Sequence, residues 1–217
     1  MEGIPAYMAS AYDKAARMVR LTYYSEVAEG VVGHLGAGVV LDLGTGPGYL
    51  PIEIARRAAT IDVVGIDLTP RLIEIARKNS VESSLAGRLR FEVMNAARLR
   101  YADDSFDMVI STGMLHGIRS REGVLKVLTE CYRVLRPDGE LWIYDPARIF
   151  SAIDIREWRA SLSLTERFLY RIFALSQVFH PPHYYTRDEM IGLVAATEFD
   201  AYLIEQDGKE LRVRMRK

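Results

Sequence analysis

Three glycines lie within five positions of the sequence, directly after an apolar run. They are Gly44, Gly46 and Gly48 in the segment LDLGTGPGYL. Glycine lets a backbone approach a ligand closely and adopt left-handed conformations. Carboxylates flank this loop, because Asp42 lies two positions before the first glycine and Asp67 ends the next apolar run, VVGID. The pattern predicts a ligand site between two strands, although a tight turn without a ligand could use the same glycines.

The spacing around these glycines distinguishes between classes of ligand. A dinucleotide fingerprint is G-x-G-x-x-G, whereas this chain has G-x-G-x-G with Pro47 inside it. Pro47 removes an N–H donor that a pyrophosphate would use, and Asp42 would sit poorly beside phosphate. A nicotinamide-dependent reductase is therefore disfavoured. Asp42 suits a ligand with a cationic end, Asp67 could accept both hydroxyls of a ribose, and the apolar Leu68 could cover a flat base. Alternatively, Asp67 helps to cap the helix predicted to start near Thr69.

The elements that position these residues alternate between strands and helices. Apolar runs predict five strands, at residues 38–44, 61–67, 89–95, 106–112 and 140–146. Helical patterns separate them, and one of these has Thr69 as its N-cap with Pro70 at the first helical position. Such alternation predicts an α/β domain with a mostly parallel sheet and helices on both faces.

The pattern changes after the fifth strand. Residues 147–185 have no strand pattern and carry aromatic residues at helical spacing, which predicts a helical cap inserted there. The chain then ends in two strands around Asp207-Gly208, an antiparallel hairpin. Residues 1–36 predict N-terminal helices. We expect residues 1–217 to form a single domain with a seven-stranded sheet.

Composition limits the function classes. The net charge of −1 gives no general electrostatic reason to bind nucleic acid, and no apolar run approaches about 18 residues, the length of a transmembrane helix. The single cysteine, Cys131, cannot form an internal disulfide, so a cytoplasmic protein is expected. Arginine outnumbers lysine and side-chain amides are rare, which fits either a heat-adapted protein or a GC-rich genome.

Four segments resemble, in order and spacing, the motifs of class I S-adenosylmethionine (SAM)-dependent methyltransferases, and most closely the small-molecule group. The segments are VLDLGTGPGYLPIEIA, GIDLTPRLIEIARK, VMNAARLRYADDSFDMVISTGMLHGI and ECYRVLRPDGELWIYD. The resemblance is strong over residues 38–146 and weaker over the terminal hairpin. It implies a Rossmann-like fold, SAM as the cofactor and methyl transfer to a small molecule.

The resemblance also implies roles for individual residues. The three glycines and Thr45 would pass close to the methionine part and the ribose of SAM, and Asp42 would support this loop. Asp67 would hold the ribose beside Leu68, and Ser111, near the end of the fourth strand, completes the predicted cofactor-binding residues.

One position departs from the family pattern. The family has an acidic residue followed by Ala after the third strand, where this chain has Asn95 and Ala96. The Asn95 carbonyl can still accept a hydrogen bond from adenine, but without the assistance of a charge. Alternatively, Asn95 contacts something else, and the Ala96 N–H and apolar stacking hold the adenine.

Residues that could handle the methyl acceptor follow the fourth and fifth strands. His116 comes directly after the fourth strand, at the ligand edge of an open α/β sheet, so it could line the acceptor pocket and act as a catalytic base. Asp145 ends the fifth strand and could face the same pocket. The structural alternatives are a histidine bonded to backbone and a carboxylate that caps its strand.

A second group of candidates lies at the end of the predicted cap. His180 and His183 flank Pro181-Pro182 and precede Tyr184 and Tyr185. No cysteine or carboxylate completes a ligand set nearby, so no metal site is predicted. The segment fits a lid that contacts the acceptor.

The predicted function is transfer of a methyl group from SAM to O, N or C of a partly hydrophobic small molecule, by a monomer or homodimer. The alternative is a non-catalytic, SAM-binding regulatory or partner subunit with the same fold. The apolar side of the cap could cover the core, form the acceptor pocket, or meet lipid or another subunit.

Overall fold

The computed structural model describes residues 4–146, 159–160, 162–165, 167–168, 171, 183–206 and 210–217. Its centre is a seven-stranded sheet with strand order β3-β2-β1-β4-β5-β7-β6. The strands are β1 (Gly38–Leu43), β2 (Ile61–Asp67), β3 (Leu89–Val93), β4 (Phe106–Thr112), β5 (Leu135–Pro146), β6 (Asp200–Gln206) and β7 (Glu210–Arg216).

The first five strands pair in parallel, and β7 pairs antiparallel with both β5 and β6. The predicted mostly parallel sheet with a terminal hairpin is thus confirmed. The Asp207-Gly208 turn lies outside the described residues. The order reverses between β1 and β4, and in such sheets ligands bind at the carboxyl ends of the strands near this reversal.

Helices cover both faces of the sheet, as predicted. On one face lie α2 (Ser25–Leu35), α3 (Tyr49–Arg57) and α4 (Pro70–Glu82), whose apolar residues share a core with Trp142. On the other face lie α5 (Arg121–Val134) and α6 (Arg187–Val194), which contribute Leu128, Cys131 and Met190 to a second core. The amphipathic spacing of each helix places its apolar side on the sheet.

The N-terminal part is helical, as the sequence predicts. It contains α1 (Ala9–Val19), a π-helical turn (Arg20–Tyr24) and then α2. Met8, Ala11 and Ala15 pack with Leu162 from the segment after β5. Most of the predicted cap, residues 147–185, lies outside the described residues, and helical conformation is described there at 159–160, 164–165, 167–168 and 171.

Predicted strand ends are wrong at three places: β1 ends at residue 43 rather than 44, β3 ends at 93 rather than 95, and β5 starts early. β5 begins at Leu135 rather than at residue 140, because Leu135 pairs with Phe106 before an irregularity in the register. Thr69 occupies the N-cap position of α4, yet its side chain makes no cap hydrogen bond. Its hydroxyl donates instead to the Ile4 carbonyl, 3.0 Å away, and so attaches the N-terminal segment to the start of α4.

Candidate functional site

The glycine loop connects the carboxyl end of β1 to α3. Gly44, Gly46 and Gly48 have φ angles of 69°, 53° and 79°, which lie in the left-handed region that favours glycine. A Cβ on Gly48 would lie 2.8 Å from the Phe91 ring, and one on Gly44 would lie 2.9 Å from Cβ of Met114. The loop therefore needs glycine both for its conformation and for close packing.

Hydrogen bonds fix this loop to the neighbouring elements. The Gly46 N–H donates to Asp67 Oδ2 at 3.0 Å, and the Thr45 N–H donates to the Ile66 carbonyl at 2.9 Å. On the other side, the buried side-chain amide of Asn79 on α4 donates to the Pro47 carbonyl at 2.9 Å. These hydrogen bonds from both sides consequently fix the conformation of the loop.

Asp67 links the loop to the start of α4. Its Oδ1 accepts a hydrogen bond from the Thr69 N–H at 2.8 Å, while Oδ2 accepts from Gly46. Burial raises the pKa of the Asp67 carboxyl, and these backbone bonds partly oppose the rise. Each carboxylate oxygen keeps a second lone pair that a ribose hydroxyl could use. The two interpretations of Asp67, ligand contact and helix support, are thus compatible.

Asp42 is the most deeply buried carboxyl at the loop. Its side chain lies near the carboxyl end of β1, and none of the described residues donates to its Oδ1. Burial raises its pKa to about 7, with a smaller contribution from the Asp67 charge, while the Thr45 hydroxyl opposes the rise. A buried carboxylate oxygen without a donor is costly, so this atom fits a ligand that brings a positively charged N–H group.

Two other predicted cofactor residues are buried beside the same edge. Ser111 pairs with Leu43 across β1 and β4, and its buried hydroxyl has no partner among the described residues. Ala96 is buried in the turn after β3, and Leu68 is half-buried after β2. These residues lie at or near the carboxyl ends of β4, β3 and β2, and their contact with the cofactor stays a prediction.

Asn95 makes a local contact in this structure. Its side chain is exposed, and Oδ1 accepts a hydrogen bond from the Ala97 N–H at 2.9 Å. This bond closes a turn within the loop that follows β3. The observed geometry therefore matches the alternative in which Asn95 contacts something other than adenine, here its own loop.

Two side chains that the sequence analysis did not assign cover the glycine loop. The Tyr12 ring on α1 lies 3.1 Å from where a Cβ of Gly46 would be, and Met114 packs on Gly44. Burial raises the pKa of Tyr12 to about 12, and the nearby Asp67 and Asp42 charges add to the rise, so the hydroxyl keeps its proton. The sequence signal that could have drawn attention to Tyr12 is the group of tyrosines in the N-terminal helices: Tyr7, Tyr12, Tyr23 and Tyr24.

Hydrogen bonds attach α1 to the start of α3. The Tyr49 hydroxyl donates to Asp13 Oδ1 at 2.8 Å and accepts from Arg17 Nε at 3.0 Å. Tyr49 directly follows the last glycine of the loop. The N-terminal helix is therefore held against the loop as its outer cover.

His116 and Asp145 come together at the carboxyl ends of β4 and β5. His116 lies in a short 3-10 helix (Leu115–Gly117) after β4, and its Nδ1 lies 2.9 Å from Asp145 Oδ1. The Asp145 side chain is 2% exposed and the His116 side chain is 28% exposed. The sequence predicted that both residues lie at this edge, and the structure adds a direct contact between their side chains.

The segment before α6 contacts the same short helix. The His183 N–H donates to the His116 carbonyl at 2.9 Å, and the Tyr184 ring stacks on the His116 ring with a centroid distance of 5.5 Å. The buried Tyr185 hydroxyl donates to the Ile118 carbonyl. His183, Tyr184 and Tyr185 therefore gather around His116, while His180 lies outside the described residues.

Other features of the described chain limit the chemistry. Among these residues, no three histidine, cysteine, aspartate or glutamate side chains lie where they could share a metal ion. Cys131 is buried in the core, and burial raises the pKa of its thiol, so it is not an accessible nucleophile. No helix within the described ranges is long and apolar enough to cross a membrane.

Comparison with known proteins identifies the domain. A family model described as a methyltransferase domain matches residues 40–139. The ubiquinone/menaquinone biosynthesis C-methyltransferase UbiE of Geobacter sp. is 38% identical over 115 residues, which are 52% of this chain and 48% of that protein. Residues 40–139 thus form a class I SAM-dependent methyltransferase domain. The aligned part spans about half the length of this relative.

Solved structures share the fold of this methyltransferase domain along most of the chain. A SAM-dependent methyltransferase from Aquifex aeolicus superposes with a TM-score of 0.70 at 16% identity, covering 98% of both chains. The [4+2]-cyclase SpnF superposes with a TM-score of 0.66 at 17% identity, covering 89% of this chain and 81% of that one. The fold is thus common to enzymes with different named activities, and the site must carry the functional argument.

The residues of this methyltransferase domain fit SAM. The unpartnered Asp42 Oδ1 suits the ammonium group of its methionine part, and the Asp67 carboxylate has free lone pairs for ribose hydroxyls. The glycine loop between them exposes backbone rather than side chains.

Proposed function

We propose that this protein transfers the methyl group of SAM to a small, partly hydrophobic acceptor. The observation that carries the proposal is the preformed loop of Gly44, Gly46 and Gly48, with Asp42 on one side and Asp67 on the other. SAM, when bound, supplies a methyl group that is already activated on a sulfonium. The chain's own task is to orient the reactants and exclude water, which can supply much of the rate.

The acceptor site is proposed at the carboxyl ends of β4 and β5. There, His116, Asp145, Tyr184 and Tyr185 combine polar groups with aromatic surface. The relative from Geobacter is named for C-methylation in ubiquinone and menaquinone biosynthesis. A quinol with an unmethylated ring position is therefore the first acceptor to test.

Cofactor binding is tested first by calorimetry. SAM and S-adenosylhomocysteine should bind, whereas NADH and NADPH should bind much more weakly, because the loop lacks the glycine spacing and the N–H donor that a pyrophosphate uses. Tight nicotinamide binding without a SAM signal would contradict the proposal.

The reaction is tested with methyl-labelled SAM and a panel of quinols, phenols and amines. Transfer of label to a small molecule supports an enzyme. SAM binding without transfer to any panel member, together with a stable complex between this chain and another protein, would favour the alternative of a non-catalytic subunit. Size-exclusion chromatography of the same preparation tests the proposed monomer or homodimer.

A further inference from the structure

The His116 ring has three different neighbours that restrict it. The first is Asp145, whose Oδ1 lies 2.9 Å from Nδ1. This carboxylate is almost entirely buried, and an ionised carboxylate only accepts hydrogen bonds. The pair is therefore satisfied when Nδ1 carries the proton of the neutral imidazole. That tautomer leaves a lone pair on Nε2.

The second neighbour is the Tyr184 ring. The two ring planes are inclined by 30° with centroids 5.5 Å apart, so that Tyr184 covers one face of the imidazole. The third is the backbone of His183, whose N–H donates to the His116 carbonyl at 2.9 Å. Together with Asp145, these contacts fix both the backbone position and the ring orientation of His116.

The remaining exposure of His116 lies at the ligand edge of the sheet. The side chain keeps 28% of its surface exposed, although its partner carboxylate is buried. Met114, two residues earlier, packs directly on Gly44 of the glycine loop. A base in this position thus lies between the cofactor loop and the end of the predicted cap.

The other described histidines have different surroundings. His34 Nε2 lies 3.0 Å from Glu140 on the α2 side of the sheet, with its ring against Trp142. His183 lies 3.3 Å from the exposed Glu189. Among the described residues, His116 is the histidine that pairs with a buried carboxylate, an arrangement that holds one tautomer in catalytic histidines.

We infer that His116 is the general base of the acceptor site, that Asp145 and Tyr184 are its positioning residues, and that the acceptor carries an acidic hydroxyl whose deprotonation creates the nucleophile. The inference rests on the proposed function. It narrows the acceptors to compounds with an acidic hydroxyl. These are methylated on that oxygen or, as in a quinol, on a ring carbon that the ionised hydroxyl makes nucleophilic. A neutral amine already has a free electron pair and would not require such a base.

With His116 as the base, each proton and electron pair of the methyl transfer has a defined destination. His116 Nε2 takes the proton of the acceptor hydroxyl. In O-methylation an electron pair of that oxygen forms the bond to the methyl carbon. In C-methylation the electron pair moves into the ring, a ring carbon forms the bond, and that carbon then loses its proton while the oxygen regains one. The electrons of the broken carbon–sulfur bond stay on sulfur, so the sulfonium becomes a neutral thioether. The imidazolium of His116 then returns its proton to water. A base of this kind contributes typically 10²–10⁴-fold in rate.

The tautomer can be tested without knowing the acceptor. We would record ¹⁵N-labelled imidazole spectra of the whole protein at a pH at which histidine is neutral, with His116→Gln to assign the His116 signals. Nδ1 should be protonated and Nε2 unprotonated in the wild type, and Asp145→Ala should remove this preference. A protonated Nε2 in the wild type, or an unchanged preference in a folded Asp145→Ala protein, would overturn the inference.

Activity provides the second test, with a demethylated naphthoquinol as the probe. His116→Gln should lower kcat by about 10²-fold or more while the Kd for SAM stays within twofold. His34→Gln, on the other side of the sheet, is the matched control and should keep wild-type activity. Normal turnover by a folded His116→Gln protein would refute the role as base.

The positioning role of Tyr184 is tested by comparing a variant that removes its ring with one that keeps it. Tyr184→Ala should lower kcat by about 10-fold and broaden or shift the His116 ring signals, whereas Tyr184→Phe should keep the stacked ring and most of the activity. Equal activity of the Ala and Phe variants would remove Tyr184 from the assignment. If the wild type itself methylates no acceptor, the proposed function fails, and the tautomer spectra still decide whether the pair holds His116 as described.

Discussion

Gly46 and Asp67 are joined by a hydrogen bond of 3.0 Å from the backbone N–H of the loop to the carboxylate at the end of β2. The bond connects the two sequence motifs that predict the cofactor site. Asp67 therefore has two tasks, because the same side chain that is positioned for a ribose also orders the glycine loop.

Replacing Asp67 should weaken SAM binding and loosen the loop. In Asp67→Ala we expect the free energy of SAM binding to become less favourable by about 1–3 kcal/mol, because charge-assisted hydrogen bonds are lost. Hydrogen exchange at the Gly46 amide should also become faster. Calorimetry and amide exchange measure these two effects. Asp62 is an exposed carboxylate on the same strand, so Asp62→Ala should change neither the Kd for SAM nor the exchange rate of the Gly46 amide. An unchanged Kd in folded Asp67→Ala would exclude the ribose contact.

Adding a methyl group at Gly48 should destabilise the fold. Gly48 has a φ of 79°, and its Cβ would lie 2.8 Å from Phe91 and 3.0 Å from Ala76. Backbone strain and overpacking together should lower the free energy of unfolding by about 1–3 kcal/mol. Urea unfolding measures the change. Gly87→Ala is the control, because a Cβ there meets nothing within 4 Å. Equal stability of the two variants would show that the loop can relax around a side chain.

Local sequence patterns predicted the parts of the site that depend on local backbone. Three glycines between a buried strand and a helix require a tight loop, and parallel strands put Asp67 and Asp145 at the same edge of the sheet. The sequence alone thus predicts the edge at which both carboxyl groups lie, while the bond between Asp145 and His116 follows only from the packing of the loop after β4.

Contacts between distant parts of the chain were not predictable in this way. Asn79 reaches the Pro47 carbonyl across 32 residues, and Tyr12 reaches Gly46 from a separate helix. Periodicity shows which face of a helix is apolar, but not which loop that face covers. The early start of β5 has the same cause, since Leu135 becomes part of the strand by pairing with Phe106.

The stability of the protein without ligand should depend on the ionisation of Asp42. Burial raises its pKa to about 7, whereas an unfolded aspartate has a pKa of about 3.9. The folded state therefore binds a proton that the unfolded chain releases between these values. The stability contributed by this group is fully present below about pH 4 and is lost as the pH rises through 7, with a slope of at most about 1.4 kcal/mol per pH unit.

Asp42→Asn should remove this slope, because the amide does not ionise. Urea unfolding across that pH range measures the difference between the variant and the wild type. Asp62→Asn should retain the wild-type slope, since Asp62 is exposed. Parallel stability curves for Asp42→Asn and the wild type would mean that Asp42 does not titrate in this window.

The same ionisation should couple SAM binding to pH. A cationic ligand favours the charged carboxylate, so the affinity of the wild type for SAM should increase as the pH rises through about 7, and a proton should be released on binding near that pH. Calorimetry in buffers with different ionisation enthalpies measures this proton. When SAM binds to the Asp42→Asn variant, a smaller fraction of a proton should be released. Identical proton release by the variant and the wild type would assign the proton to another group.

Substitutions at Asn95 distinguish a cofactor contact from loop support. Its Oδ1 accepts the Ala97 N–H, a bond that an aspartate can also accept but a leucine cannot. If the bond only supports the loop, Asn95→Leu should lower the melting temperature by a few degrees and weaken SAM binding indirectly. Asn95→Asp should then behave like the wild type.

If Asn95 also accepts a hydrogen bond from adenine, Asn95→Asp should bind SAM as tightly as the wild type or about 1 kcal/mol more tightly, because the carboxylate accepts the stronger bond. Thermal unfolding and calorimetry of both variants separate these cases, and a stable Asn95→Leu protein with native SAM affinity would remove Asn95 from both roles.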